Sequence, residues 1–183
     1  MKKHNLAFVD LETTGLDPEK HEIIEVGCLI VEQLPRPGKG PVLRIIDELN
    51  LRVKPEHLET AEPEALRLNG YNEADWLFAV DLKSVLEALV KKAAGAVLVG
   101  QNVSFDWTFL ERGFERTGVK HNFHYHKLDL LSIAFAKLYD VEAVQRFSLE
   151  ALADYFGIKN ERAHTAASDI KVTFEIYKRL LGI

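Results

Sequence analysis

Cysteine is almost missing from this sequence. Cys28 is the only one in 183 residues, which excludes an intrachain disulfide and a cysteine-built zinc site. Long apolar runs are missing too, none approaching the ~20 residues that a membrane-spanning helix needs. No signal-peptide-like apolar stretch separates Met1-Lys2-Lys3-His4-Asn5 from the first apolar segment, so a cytoplasmic location without membrane association is expected. Positive charge is scarce, with 23 Lys and Arg against 28 Asp and Glu and a net charge of -5. That balance excludes a generic, salt-driven nucleic-acid coat protein, which would be strongly basic. It leaves room for an enzyme that meets a polyanion through bound cations, since four carboxylates and two divalent ions sum to zero. Repeats, low-complexity tracts and domain-scale linkers are also lacking, so a single domain over residues 1–183 is expected.

The stretch Leu6-Ala7-Phe8-Val9-Asp10-Leu11-Glu12-Thr13-Thr14-Gly15-Leu16 is the most informative. Its first four residues suit a buried strand. Alternate residues of a strand share a face, so Asp10 and Glu12 stand side by side about 7 Å apart, from a rise of ~3.3 Å per residue. Two like charges at the end of a buried strand are costly unless a cation lies between them. An isolated Asp-x-Glu reads equally well as a solvated strand end. The small residues and glycine that follow let the backbone turn sharply beside a ligand, and they favour a metal site on a central strand.

Along the chain, Ile23 to Val31 reads as a second strand, and the proline- and glycine-rich Gln33 to Pro41 as a mobile hairpin tip. A third strand is expected from Val42 to Val53, antiparallel to the second. Pro63 to Leu68 is a short helix stopped at Asn69-Gly70. Asp81 is the expected N-cap of a helix reaching Ala94. Ala96 to Val99 is a short buried strand, followed by a helix from Phe105 to Thr117. A weak strand is expected within Asn122 to Lys127, with helices over Leu128 to Tyr139, from Ser148 to Gly157, and over Thr165 to Leu181. Strands first, then strands alternating with helices, predict one α/β domain around a mixed sheet.

Asp106 falls in the first turn of the helix after Ala96 to Val99, where an acid is ordinarily a favourable dipole partner. Ligands of open α/β sheets gather at the carboxyl ends of strands, so parallel strands would bring Asp106 to the edge that carries Asp10 and Glu12. Asn102 and Phe105 lie beside it, a polar group and a flat surface for a base. In His164-Thr165-Ala166-Ala167-Ser168-Asp169 a five-residue step is ~500°, which leaves two helical side chains about 140° apart. Asp169 therefore projects from a helix while His164 sits on the loop before it. A surface histidine and a solvated acid account for these residues singly. His121, His124 and His126 alternate, but no spaced acid or cysteine completes a tetrahedral set, and they read as exposed.

Phe-Val-Asp-Leu-Glu-Thr-Thr-Gly-Leu, Gly-Gln-Asn-Val-Ser-Phe-Asp-Trp-Thr-Phe-Leu and His-Thr-Ala-Ala-Ser-Asp occur in that order. With these three segments the sequence resembles the DEDDh family of 3'→5' exonucleases, the group of the polymerase proofreading epsilon subunit, ribonuclease T and oligoribonuclease. The five-residue step from His164 to Asp169 matches the histidine class, because tyrosine relatives use four. The resemblance implies a ribonuclease H-like fold, a five-stranded mixed sheet with helices on both faces. It implies two Mg²⁺ or Mn²⁺ ions held by Asp10, Glu12, Asp106 and Asp169, with Asp10 bridging and His164 as general base. Thr14, Leu16, Asn102 and Phe105 would contact the terminal nucleotide. Asn69-Gly70-Tyr71 departs from the His-Gly-Ile of several relatives. The implied partners are single-stranded DNA or RNA 3' ends, with a homodimer or a polymerase partner left open; no epsilon-type tail is expected after the last helix. A rival reading is a catalytically silent nucleic-acid-binding or polymerase-associated module of the same fold.

Overall fold

Leu6, Ala7, Phe8 and Val9 begin a strand that is apolar on both sides, and this places it at the middle of the sheet. In the computed structural model, which describes residues 1–160 and 165–183, β1 (Leu6–Thr13) lies between β2 (Ile23–Arg36) and β4 (Val97–Gly100). The five-stranded order is β3-β2-β1-β4-β5, with β3 (Lys39–Arg52) and β5 (Lys127–Asp129) at the edges. β1 pairs antiparallel with β2 and parallel with β4. The β2–β3 pair is antiparallel and the β4–β5 pair parallel, so the sheet is mixed.

Ala7, Val9 and Leu11 pack with Val26, Cys28 and Ile30 against α2 (Leu82–Lys92) and α3 (Val103–Thr117). Leu6 and Phe8 face the other way with Leu29 and Val31. They meet α4 (Leu130–Leu138), α5 (Leu149–Phe156) and α6 (Ala166–Leu181). A short α1 (Pro63–Leu68) follows a 3-10 turn at Leu58–Thr60. No helix among the described residues is long and apolar enough to cross a membrane.

Local chemistry sets most boundaries as expected. Asp81 accepts the Ser84 N–H at the start of α2, and Ser148 accepts the Ala151 N–H at the start of α5. Two elements differ from expectation. The proline-rich stretch is strand nearly to its tip, because β2 runs to Arg36 and β3 begins at Lys39. Pro35 falls where the register slips between Leu34 and Arg36, a position that needs no ladder N–H. The fifth strand lies at Lys127–Asp129 and not within Asn122 to Lys127. It is only as long as the stretch Leu98 to Gly100 that it pairs with.

Gly27 is needed where α6 docks on the sheet, since a Cβ there would lie 2.7 Å from the Ala166 carbonyl oxygen. Gly27→Ala is therefore expected to destabilise the fold by ~1–3 kcal/mol, the usual cost of overpacking. Denaturant unfolding measures it, and an unchanged midpoint would show that α6 can lift freely.

Candidate active site

Parallel pairing of β1 and β4 sends both strands to the same edge of the sheet, and the acids collect there. Asp10 and Glu12 project from the end of β1 on the face that α6 covers, and Asp169 arrives from the first turn of α6. One carboxylate oxygen from each of these three lies within 4.8 Å of the others. Asp106 stands outside that triad. It enters from α3, and its Oδ1 accepts the Leu11 N–H at 3.0 Å. Asp169 Oδ1 accepts from Asn160 Nδ2 at 2.7 Å, and the Ser168 hydroxyl donates to Asn160 Oδ1 at 2.7 Å. His164 lies outside the described residues.

These carboxylates are uncomfortable as anions. Glu12, Asp106 and Asp169 are buried and Asp10 is half-buried. Burial pushes the Glu12 carboxyl up to about 8, with Asp169, Glu25 and Asp106 adding repulsion. Burial likewise pushes Asp106 up to about 8, against the lowering effect of its backbone N–H bonds. Asp10 is raised well above the ordinary range by burial first, then by Asp106, Glu12, Asp169 and Glu25. Desolvation and like charges acting together are the signature of a functional site. A cation among them removes both penalties, and an all-oxygen donor set suits a hard divalent ion.

Glu25 carries no mark of function in the sequence. It sits inside the apolar run of β2, only 4% exposed and in register with Glu12 on one side and Arg52 on the other. Burial raises its carboxyl. The Arg52 charge, the Ala167 N–H and the Asn50 side chain oppose that rise. An acid in the middle of Ile-Ile-Glu-Val is the available signal, but only register reveals what it faces. Asn160 is equally hidden, because nothing local marks a loop asparagine as a partner of Asp169.

The turn after β1 is held from several sides. Asn69 Nδ2 donates to the Thr13 carbonyl at 2.8 Å, so this departure from the family pattern is bonded to the site loop. The His21 imidazole occupies the space that a Gly15 Cβ would need, and its Nδ1 accepts the Asp17 N–H at 2.9 Å. Thr14 is the residue expected at the terminal nucleotide. Its side chain is fully buried and accepts the Glu22 N–H at 2.9 Å, so it serves the loop. Leu16 is left standing out at 74% exposure. Asn102 is exposed in the left-handed region at φ 58, with its N–H bonded to Asp129 Oδ1 at 2.9 Å. Phe105 is half-buried, with its ring 5.0 Å from that of Phe109.

Glu25, Thr165 and Ser168 form one wall of a cleft of about 620 Å³ that also holds Arg52, Phe78 and Lys171. A slightly larger cleft of about 660 Å³, beside Lys20, Lys54, Arg112 and Arg116, is lined by none of Asp10, Glu12, Asp106 and Asp169. His121, His124 and His126 form no metal-ligating group among the described residues. Their rings stack instead, His121 on Phe123 and His124 on His126.

The model of the RNase T exonuclease family matches residues 7–177. An oligoribonuclease of Shewanella sp. (strain ANA-3) is 31% identical over 178 residues, covering 92% of this chain and 88% of that one. Among solved structures, E. coli exonuclease I in complex with a dT13 oligonucleotide superposes with a TM-score of 0.77 at 18% identity. That match covers 97% of this chain but 41% of exonuclease I. A 3'-exonuclease solved for its 3'-end-specific recognition of a histone mRNA stem-loop gives a TM-score of 0.73 at 20% identity, over 98% of this chain and 82% of that one. Both superpositions establish the ribonuclease H-like fold.

Proposed function

The chain belongs to the RNase T exonuclease family, and from that premise we propose that residues 1–183 form one metal-dependent 3'→5' exonuclease domain. It hydrolyses phosphodiester bonds at the 3' ends of single-stranded DNA or RNA and releases nucleoside 5'-monophosphates. The observation that carries this reading is the meeting of Asp10, Glu12 and Asp169 oxygens within 4.8 Å, with Asp106 beside them.

Asp10, Glu12, Asp106 and Asp169 would hold two divalent cations, Mg²⁺ or Mn²⁺. Bound there, the ions supply Lewis-acid stabilisation to the attacking and leaving oxygens of an in-line displacement. The protein's own contribution is placement. Asp10 feels the charges of Asp106, Glu12 and Asp169 together, which suits it to serve both ions. The Leu11 N–H fixes one oxygen of Asp106, and Asn160 fixes one oxygen of Asp169. Leu16 and Phe105 offer apolar surface to the terminal nucleotide, and stacking of a base is worth ~1–3 kcal/mol whatever its identity. Asn102 presents an exposed amide at the same edge.

His164, five positions before Asp169, is the general base in this reading and takes the proton of the attacking water on an imidazole nitrogen. His164→Ala is expected to lower kcat by ~10²–10⁴-fold, the usual worth of a general base, while Mn²⁺ binding stays as in the wild type. Unchanged turnover would remove the histidine from the mechanism.

The overall test compares single-stranded DNA, RNA and dinucleotides with Mg²⁺ and Mn²⁺. Short RNA oligomers come first because of the oligoribonuclease likeness. Mononucleotide release from a labelled 3' end that survives exhaustive chelation would overturn the metal dependence. Sedimentation of the active species decides between a monomer and a homodimer, and co-purification tests a polymerase partner.

A further inference from the structure

The cleft of about 620 Å³ beside α6 opens off the acidic edge of the sheet. Ser168 lines it, immediately before Asp169, and its hydroxyl bonds to the same Asn160 that holds the Asp169 carboxylate. Glu25 lines it too, in register with Glu12. A strand whose 3' end lies among the acids therefore has a place here for the nucleotides that precede that end.

Phe78 lines the same cleft with 89% of its surface exposed. A single exposed apolar residue needs no explanation by itself, but the backbone beneath this one is pinned on both sides. The buried Trp76 indole donates to the Ile24 carbonyl at 3.0 Å, and the Ala79 N–H bonds to the Trp76 carbonyl at 3.0 Å. Val80 then joins the edge of the sheet. Its N–H bonds to the Arg52 carbonyl at 2.9 Å, and its carbonyl accepts the Lys54 N–H at 2.9 Å. A phenyl ring held in water on a fixed support is a stacking surface that loses little freedom when a ligand arrives. Two cations share the cleft. Arg52 gives an Nη1 hydrogen to the Asp75 carbonyl at 2.6 Å and lies over the Trp76 ring at 4.4 Å. Neither contact cancels its charge. Lys171 reaches Glu48 at 3.0 Å across open surface. The acids of the lining are Glu25, which is buried, and Asp75, whose carboxylate accepts from Asn72 at 2.7 Å. An aromatic platform flanked by cations is the chemistry that holds single-stranded nucleic acid without regard to sequence.

We propose that Phe78 sets the preference for substrate length: its ring stacks a base upstream of the scissile bond, with Arg52 and Lys171 facing the phosphates of that part of the strand. The proposal rests on the exonuclease reading above, which places the 3' end among the acids.

Steady-state kinetics on single-stranded oligomers from dimer to hexamer, in Mn²⁺, tests it. For the wild type, KM is expected to fall as the oligomer lengthens and then to level off. Phe78→Ala is expected to flatten that fall, raising KM for the hexamer about 10-fold, within what one stacked base supplies. The effect should lie in KM and not in kcat. Phe78→Tyr keeps a ring and is expected to restore the wild-type profile. Phe78→Leu keeps apolar bulk without a ring and is expected to behave as Phe78→Ala. Leu77→Ala is the control, since Leu77 is 73% exposed but does not line the cleft, and it is expected to keep the wild-type profile.

A wild-type KM that ignores length, or a wild-type profile in Phe78→Ala, would overturn the proposal. So would Phe78→Leu matching the wild type, because bulk and not stacking would then account for the site. Leu77→Ala losing as much as Phe78→Ala would overturn it as well. A wild type that binds oligomers but releases no mononucleotide would instead defeat the exonuclease reading. Anisotropy of a labelled hexamer in Ca²⁺ then still decides for Phe78: binding about 10-fold weaker in Phe78→Ala supports the stacking, and equal binding overturns it.

Discussion

Asp10→Asn is expected to lower exonuclease turnover by ~10³-fold or more, about 4 kcal/mol of transition-state stabilisation, and at the same time to make the metal-free chain melt higher at pH 8. Both effects follow from the place of this carboxylate. It is flanked by Asp106, Glu12, Asp169 and Glu25, and burial together with these charges raises its carboxyl well above the ordinary range. An amide of the same shape removes one charge from the crowd, so the remaining acids ionise at less cost. The gain is a few degrees, since ~1 kcal/mol moves a domain of this size by about 2–4 °C. The same amide cannot act as an anionic ligand shared between two ions, so catalysis is lost. Thermal melts in chelator, beside an oligonucleotide assay in Mn²⁺, check both halves. A variant that melts lower while still digesting substrate would refute the reading.

The second large effect is linkage among metal, proton and fold. Glu12 and Asp106 are held near 8 in the folded chain, against about 4.3 and 3.9 unfolded. Between those limits the unfolded chain has released protons that the folded chain keeps, so stability falls as pH rises. Below about pH 4 these two groups impose no penalty. The penalty grows through neutrality and is complete once pH passes the folded values near 8. Every tenfold tightening of a proton's hold is worth ~1.4 kcal/mol, so the pair represents several kcal/mol at pH 8. Divalent cations bind the deprotonated form and reverse this loss. The rise in Tm produced by saturating Mn²⁺ is therefore expected to be larger at pH 8 than at pH 6. A rise that is flat across that range would mean the carboxylates are already ionised in the metal-free chain.

Much of this architecture could be read from the chain because the chemistry that sets it is local. Asp81, Ser148 and Gly157 mark helix ends by bonding to their own neighbours or by entering the left-handed region. β1 announces itself by an apolar run interrupted by two acids. What escaped depends on partners distant in sequence. β5 is a strand only because β4 lies beside it, and no periodicity resides in three residues. The prolines near residue 35 suggested a loose tip because a proline reads the same in a loop and at a slipped edge position. The Thr14 side chain is bonded to the Glu22 N–H by a turn that no local pattern announces. Glu25 acquires its meaning only from the register that sets it opposite Glu12.

The order of the sheet also bears on how the molecule can be made. β1 sits at its centre, but its partners on the two sides are separated by about a third of the chain: β2 follows at once and ends at Arg36, whereas β4 begins at Val97, and α6, which covers the acids, begins only at Ala166. A nascent chain threading out of the ribosome can zip up the three-stranded meander early, with one flank of β1 bare and its two acids still in water. Only when the final helix emerges do the acids become enclosed. Quality control during translation would therefore meet an open sheet edge while residues 53–96 are made, about a quarter of synthesis, and the cation site would be among the last features to form.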